Sequence, residues 1–322
     1  MSIIKPRHIE PGCTIGLVAP SGPAVRSKDT PPGTLPDHLQ KGIDYLHHLG
    51  YKVKVGRNAL NRRGYLAGTD QERLHDFHAF ISDPAIDAVF CLAGGYGTPR
   101  LLPDLDMDLI HNNPKIIEGY SDITALLTSI HDHTGLVTFH GPMANWDFGR
   151  DIDYNREGLW NVMSKTLPHG PLSIPENFTK PQTIIPGVVS GKLVGGNLSL
   201  LVTTLGTPWE INTEDCVLFI EDVEEAPYRF DRMMNQLRLA GKLEQAKGFI
   251  IGECVNCIPS SEDSPSLTLE EVLDDYLLPL NKPCIYPYPC GHGTYKVTLP
   301  LGINCTLDAT QAVLSLDESA VL

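Results

Sequence analysis

Short apolar runs and amphipathic stretches alternate along the first 140 residues. The run TIGLVAP, Thr14 to Pro20, is nearly all apolar, as in a strand buried on both faces. From Asp37 to Leu49 the apolar residues recur at helical spacing, and Gly50 then ends the helix. Further strands are predicted at Ile86 to Ala93 and at Lys115 to Tyr120. This order predicts a doubly wound, flavodoxin-like α/β domain with a parallel sheet.

Regular patterning weakens after this first part of the chain. Five prolines lie at positions 168, 171, 175, 181 and 186, where they interrupt any long helix or strand. The sequence therefore predicts an N-terminal α/β domain over residues 1–145, a proline-rich linker over 146–186 and a C-terminal domain over 187–322.

The C-terminal part mixes strands and helices, which predicts a smaller α+β domain. Strands are expected at Val188 to Leu193, Cys216 to Ile220 and Gly248 to Gly252, and a hairpin is expected near the end. The helix after Pro227 carries an apolar stripe at helical spacing: Phe230, Met233, Met234 and Leu237. Such a stripe is more typical of a protein core than of a cofactor site.

Composition and charge narrow the classes of function. Hydrophobic residues make up 42% and charged residues 20%, which is typical of a soluble globular protein. The net charge of −14 argues against a nucleic-acid-binding protein with a broad basic surface. No run approaches the apolar length of a membrane span, and the opening MSIIKPRHIEPG lacks the apolar core of a secretory leader. A cytoplasmic location is expected.

The eight cysteines are scattered, and most suit a reduced protein. Cys254 and Cys257 form a tight pair, but Cys284 and Cys290 are more widely spaced and separated by prolines. A four-cysteine zinc site would use two tight pairs. The cysteines are therefore expected in the core or in loops, and neither a metal nor a cofactor is expected.

The segment GYSD, Gly119 to Asp122, joins a predicted buried strand directly to a helix. A serine at this junction lies at the carboxyl edge of a parallel sheet, where α/β folds form their active crevices. The amide groups at the start of the helix favour developing negative charge there. Ser121 is thus a candidate nucleophile, although the G-x-S-x-G pattern is missing and a simple helix cap remains the alternative.

A second strand-to-helix junction, LAGGYGTPRLL, runs from Leu92 to Leu102. Its glycines allow a close backbone approach to a ligand, but no dinucleotide fingerprint or Walker lysine is present. A backbone N–H from this loop is a candidate for binding an oxyanion. The alternative is a tight turn without a catalytic role.

A serine nucleophile needs a base, and a catalytic histidine needs a carboxylate to orient it. His292 lies in CGHGTYK after a predicted strand, where flanking glycines are expected to leave the ring mobile and accessible. Other histidines, such as His47 and His131, suit helix faces or loops. For the carboxylate, Glu221 ends the apolar strand VLFIE, and three further acids follow it: Asp222, Glu224 and Glu225. Chemistry alone does not choose among the four.

Seven sequence blocks, in order, resemble the LD-carboxypeptidase family of serine peptidases, the muramoyltetrapeptide carboxypeptidases. The blocks are GGYGTPRLL, GYSDIT, FHGPM, GGNLSLL, GTPW, FIEDVEEAPYRFDRMMNQL and GHGTYKVTLPLG. The resemblance runs from the first strand to the last hairpin. It implies a catalytic triad of Ser121, Glu221 and His292. It also implies an oxyanion hole formed by the backbone N–H groups of Asp122 and Gly95.

The resemblance implies hydrolysis of the bond between an L-configured centre and a C-terminal D-amino acid in murein-type tetrapeptides. The expected partner is a small, cell-wall-derived peptide, with no nucleic acid and no membrane, and a homodimer is left open. Ala93 departs from the arginine that usually precedes GGYG in the family, which puts substrate specificity or reaction rate in doubt. Two alternatives stay open: a self-immunity hydrolase that cleaves peptidyl or aminoacyl nucleotide antibiotics, and a non-catalytic peptide-binding module.

Overall fold

The computed structural model describes residues 2–25, 27, 29–259, 261 and 265–322. The chain divides into two compact units, an N-terminal one and a C-terminal one. The N-terminal unit comprises Met1–Thr166, Val297–Leu301 and Ala320–Leu322, and the C-terminal unit comprises Leu167–Lys296 and Gly302–Ser319. Within the described ranges, no helix is both long enough and apolar enough to cross a membrane.

The N-terminal unit alternates strands with helices. Its elements are β1 (Thr14–Val18), α1 (Asp37–His48), β2 (Lys52–Val55), α2 (Asp70–Ser82), β3 (Ala88–Cys91), α3 (Met107–Asn112), β4 (Ile116–Gly119), α4 (Thr124–Thr134), β5 (Thr138–His140) and α5 (Asp153–Ser164). A returning strand, β12 (Leu299–Leu301), completes the sheet, whose order over the described residues is β12-β5-β4-β3-β1-β2.

Strands β1 to β5 of this sheet are parallel to one another, and β12 pairs with β5 in the antiparallel direction. The predicted α/β class with a parallel sheet is confirmed. Every residue of β3 and β4 is buried, which explains the continuous apolar run of β3; β4 also buries Glu118. Helix α1 buries its predicted stripe, Leu39, Ile43 and Leu46. Helix α2 begins at a capping box formed by Thr69 and Glu72.

The C-terminal unit is a mixed α/β unit. Its elements are β6 (Gly170–Pro171), β7 (Gln182–Ile185), β8 (Val188–Asn197), α6 (Leu198–Thr203), β9 (Cys216–Val223), α7 (Pro227–Leu239), α8 (Lys242–Gln245), β10 (Gly248–Val255), α9 (Leu269–Leu277), β11 (Cys284–Gly291), β13 (Asn304–Asp308) and β14 (Val313–Leu316). Among the described residues the sheet order is β6-β14-β13-β8-β9-β10-β11-β7.

Strands β8, β9, β10 and β11 form a parallel block in the middle of this sheet, and the remaining strands pair with antiparallel neighbours. The expected terminal hairpin is the β13–β14 pair. The stripe on α7 packs into the core of the unit, because Phe230, Met234 and Leu237 are fully buried and Met233 packs against them. The carboxyl ends of parallel strands share one edge of each sheet, so their following loops are brought together.

The burial of the stripe on α7 predicts which leucines of this helix contribute to stability, and an exposed leucine of the same helix is the matched control. Leu237 is fully buried, whereas Leu239 is 71% exposed. We expect Leu237→Ala to lower the free energy of unfolding by about 2–5 kcal/mol, because it leaves a cavity in the core. We expect Leu239→Ala to change it by about 0.5 kcal/mol or less. Denaturant titration of both variants measures the difference, and equal losses would contradict this packing of α7.

Candidate active site

Ser121 lies two residues after the end of β4, at the start of a short 3-10 turn that leads into α4. Its backbone has φ 65°, in the left-handed region that a non-glycine residue rarely adopts. Such a conformation costs on the order of 1–3 kcal/mol and persists only where the surroundings enforce it. The half-buried serine therefore sits at a strained strand-to-helix junction at the carboxyl edge of the sheet.

Gly94, in the loop after β3, makes room for this serine. A Cβ placed on Gly94 would lie 2.7 Å from Ser121 Cβ and 2.8 Å from Ser121 Oγ. A side chain at position 94 would therefore displace the serine hydroxyl. The loop of Gly95, the other predicted oxyanion residue, thus packs directly against Ser121.

The carboxylate of Asp122 connects three loops at this edge of the sheet. Its Oδ2 accepts hydrogen bonds from Ser21 Oγ at 2.6 Å, from Thr98 N at 2.8 Å and from Thr98 Oγ1 at 2.9 Å. Asp122 and both partners are buried. Ser21 follows β1, and Thr98 follows the glycine loop after β3. The side chain of Asp122 therefore has a structural role. This role is separate from the one that the resemblance implies for its backbone N–H, which is to bind the oxyanion.

A buried arginine braces the glycine loop from α2. Arg73 donates to the carbonyl oxygen of Pro20 and, at 2.9 Å, to that of Gly97. Gly22 N donates to Gly94 O at 3.2 Å. Ala93, which replaces the usual family arginine, is fully buried two residues after the end of β3. The loop is therefore held by the end of β1 and by α2.

In the C-terminal unit, Glu221 and His292 form a close pair. His292 Nδ1 lies 2.7 Å from Glu221 Oε2, and the side chains are 16% and 0% exposed, respectively. Burial lowers the pKa of His292, whereas the charge and hydrogen bond of Glu221 raise it, and the raising effects prevail. The structure thus brings together two residues that are 71 positions apart in the chain.

The expectation that flanking glycines leave the His292 ring mobile and accessible is wrong. Gly291 packs against the side chain of Glu221, where a Cβ would overlap the carboxylate, and Gly293 packs in the same way against Glu253. Lys296 Nζ donates to Gly293 O at 2.5 Å. The glycines therefore permit close packing, which fixes the histidine loop in place.

The four candidate acids have different surroundings. Strand β9 continues past Glu221 to Val223, so both Glu221 and Asp222 are buried in the strand. Glu224 is exposed, and Glu225 lies 3.8 Å from Arg229 in an ion pair. Glu221 is the acid that contacts the imidazole.

Asp222 has a separate set of partners at the start of α6. It accepts from Asn197 Nδ2 at 3.0 Å, from Ser199 N at 3.0 Å and from Ser199 Oγ at 2.8 Å. Burial, with the neighbouring charge of Glu221, raises the pKa of Asp222 to about 6. Asn197 and Ser199 were missed by the sequence analysis. The available signal was their position in GGNLSLL, where a parallel strand ends and a helix begins.

The cysteines form no disulfide among the described residues. Nor do the described residues contain a group of three or more His, Cys, Asp or Glu side chains placed to hold a metal ion.

Comparison with known proteins shows to which protein family this chain belongs. The chain matches the LD-carboxypeptidase N-terminal domain over residues 15–141 and the LD-carboxypeptidase C-terminal domain over residues 190–307. It is 41% identical over 95% of its length to the probable murein peptide carboxypeptidase of Bacillus subtilis, of which it covers 92%. It is 32% identical over 92% of its length to the murein tetrapeptide carboxypeptidase of Pseudomonas aeruginosa, of which it covers 94%.

Solved structures show the same fold. The Microcin C7 self immunity protein MccF, in complex with aspartyl sulfamoyl adenosine, matches with a TM-score of 0.89 and 28% identity, over 99% of this chain and 100% of that chain. These matches define the class as the serine-type carboxypeptidases. The chain belongs to the LD-carboxypeptidase family.

The hydrogen bonds of the Asp122 carboxylate to Ser21 and Thr98, the Asp122 network, are expected to stabilise the fold, which can be tested without an activity assay. Asp122→Asn replaces the carboxylate with a neutral amide, whose oxygen is a weaker acceptor for the three hydrogen bonds that converge on Oδ2. We expect the free energy of unfolding to fall by about 1–3 kcal/mol. Asp104→Asn, at an exposed position of the same unit, is the control and is expected to have little effect. Equal stability of the two variants in denaturant titration would show that the network contributes nothing.

Proposed function

We propose that this protein removes a C-terminal D-amino acid from an L-configured centre in murein-type tetrapeptides, through an acyl-enzyme. The observation that carries the proposal is the buried Glu221–His292 hydrogen bond of 2.7 Å. A carboxylate in this position holds an imidazole in one tautomer and stabilises its cation. The substrate class is supported by the names of the relatives from B. subtilis and P. aeruginosa.

In the proposed mechanism Ser121 is the nucleophile and His292 is the general base. The Nδ1–H of His292 donates to Glu221, which leaves Nε2 to accept the serine proton. The Ser121 Oγ–carbon bond forms, the C–N bond to the D-amino acid breaks, and His292 returns the proton to the leaving amine. Water then hydrolyses the acyl-enzyme with the same base, which regenerates the serine.

The strained conformation of Ser121 supports its assignment as nucleophile, because strain of this kind clusters at active sites. We assign the backbone N–H groups of Asp122 and Gly95 to the oxyanion. Each such donor is worth roughly 3–4 kcal/mol of transition-state stabilisation in comparable sites. The buried Asp122 carboxylate and Arg73 act as positioning groups for the two loops that carry these N–H groups.

We place the reaction in the cytoplasmic recycling of cell-wall peptides. A second candidate is a self-immunity hydrolase, which the match to MccF with its bound aspartyl sulfamoyl adenosine favours. We also propose that the protein forms a homodimer. Light scattering measures its molar mass in solution and thus its oligomeric state.

Substrate class and nucleophile are tested together by mass spectrometry. We expect the wild-type protein to release D-alanine from an L,D-terminated tetrapeptide and to leave its L,L counterpart intact. Ser121→Ala should lower turnover by several orders of magnitude while peptide binding is nearly unchanged, because the hydroxyl acts chiefly in covalent chemistry.

Ser129→Ala is the matched control for the nucleophile. This buried hydroxyl lies on α4 and has no hydrogen-bond partner among the described residues, so its loss should leave turnover intact. Retained turnover in Ser121→Ala would contradict the proposed nucleophile. Cleavage of an aminoacyl sulfamoyl adenosine but not of the tetrapeptide would favour the self-immunity function. Binding of the peptide without cleavage by the wild-type protein would favour a non-catalytic module.

The orienting acid is tested with two glutamates of the same strand-to-loop segment. Glu221→Gln should lower kcat by a factor on the order of 10⁴, by analogy with the equivalent change in a Ser-His-Asp triad. Glu224→Gln should leave kcat close to the wild-type value, because Glu224 is exposed. Kinetics and circular dichroism of both variants measure this difference, and the reverse order of activities would show that the acid is wrongly assigned.

The pH profile separates orientation from a merely structural role. His292 must be neutral to act as a base, so kcat/KM should fall as the pH falls through its raised pKa, above about 6.5. In Glu221→Gln the largest raising charge is gone, while burial remains. The residual activity should therefore persist to lower pH. An unmoved acid limb would contradict a direct effect of Glu221 on His292.

A further inference from the structure

A pocket of about 600 Å³ lies within the N-terminal unit, and its lining includes Gly22, Arg62, Tyr65, Gly95 and Tyr96. Pockets of this size hold ligands larger than a single amino acid. The lining residues come from the loops after β1, β2 and β3, at the carboxyl edge of the parallel sheet. This is the edge that also carries Ser121.

The pocket begins beside the candidate nucleophile. Gly95 lines it, and the preceding residue, Gly94, packs so closely on Ser121 that a Cβ there would lie 2.8 Å from the hydroxyl oxygen. Gly22, which also lines the pocket, donates its N–H to Gly94 O at 3.2 Å. The glycine loop that lines the pocket therefore also packs against Ser121.

Two tyrosines present large apolar surfaces to the pocket. Tyr65 and Tyr96 are 67% and 52% exposed, although aromatic rings of this size are usually covered. Their ring centroids lie 5.4 Å apart at an interplanar angle of 79°. Rings in this edge-to-face contact leave no parallel slot for a planar nucleobase between them. Each ring offers a single face, which suits an aliphatic chain.

Arg62 carries the charged side chain among the described residues that line the pocket. It donates to the carbonyl oxygen of Ser27, which anchors the side chain. A guanidinium carries five N–H donors in a planar fork that matches a carboxylate. In a chain with a net charge of −14, a pocket whose charged group is an arginine selects an anionic ligand.

We propose that this pocket binds the acyl-side part of the substrate, the peptide segment that precedes the scissile bond. Arg62 binds a carboxylate of that segment, and Tyr65 and Tyr96 pack against its aliphatic part. A single released amino acid is too small to fill the cavity, which assigns the pocket to the acyl side. The inference rests on the proposed function and adds that an acyl-side carboxylate is a requirement for tight binding.

The test compares two peptides in two assays. One is an L,D-terminated tetrapeptide with a free acyl-side carboxylate, and the other is the same peptide with that carboxylate amidated. Arg62→Gln should raise KM for the free-carboxylate peptide by about 10- to 100-fold with little change in kcat, because a charge-assisted bond is lost from binding alone. It should not change KM for the amidated peptide.

Arg63→Gln is the matched control, because it removes the same charge from an exposed neighbour that does not line the pocket. It should affect neither peptide. Arg62→Lys, which keeps the charge but loses the fork, should show an intermediate KM. Tyr65→Leu and Tyr96→Leu should raise KM for both peptides alike, since their contacts are apolar.

Calorimetry in the Ser121→Ala background keeps this inference separate from the proposed function. The free-carboxylate peptide should bind about 10- to 100-fold more tightly than the amidated one, and Arg62→Gln should abolish the difference. If the wild-type protein cleaves neither peptide but this binding pattern holds, the pocket assignment stands and the proposed activity falls. Equal binding of the two peptides, or equal effects of Arg62→Gln on both, would overturn the pocket assignment.

Discussion

The buried carboxylate of Asp122 is the interaction on which the N-terminal site depends. Ser121 needs a left-handed backbone, and that conformation is stable only if the neighbouring residues are held in place. Asp122 provides this restraint through three short hydrogen bonds to Ser21 and Thr98, which belong to two other loops. Because the carboxylate is buried, its donors have no water to replace it. The serine turn, the glycine loop and the end of β1 are thus one connected structure.

In the C-terminal unit, two adjacent buried carboxylates hold the loops around them in place. Glu221 and Asp222 follow each other in β9, but consecutive strand residues point to opposite faces. Glu221 meets the histidine loop, whereas Asp222 meets Asn197 and the start of α6. Proximity of the two acids raises the pKa of Asp222 in addition to the effect of burial. One strand end therefore orients the imidazole and also fixes the neighbouring helix.

The scaffold by itself does not choose the substrate. A protein named a murein tetrapeptide carboxypeptidase and the self-immunity protein MccF both match this chain over more than nine-tenths of its length. Function on a shared fold is decided by the side chains around the site. In the N-terminal unit those side chains include an arginine and two tyrosines in edge-to-face contact. Their chemistry suits an anionic peptide segment better than a stacked base.

The sequence by itself determined the α/β class, the order of strands and helices over the first 140 residues and the strand-to-helix junction at Ser121, because these follow from local hydrophobic patterning. It did not predict α5 and β7, which lie in the stretch interpreted as a proline-rich linker. The resemblance to a known family added the triad assignment. The spacing of residues alone did not choose which of four acids would orient the histidine. Only the tertiary structure decided that Glu221 contacts His292, 71 residues away, and that Ser21 holds Asp122 from a distance of 101 residues. It also replaced the expected accessible histidine by one whose flanking glycines, Gly291 and Gly293, pack against the side chains of Glu221 and Glu253. Such contacts depend on strand order and register across a sheet edge, which no local pattern encodes.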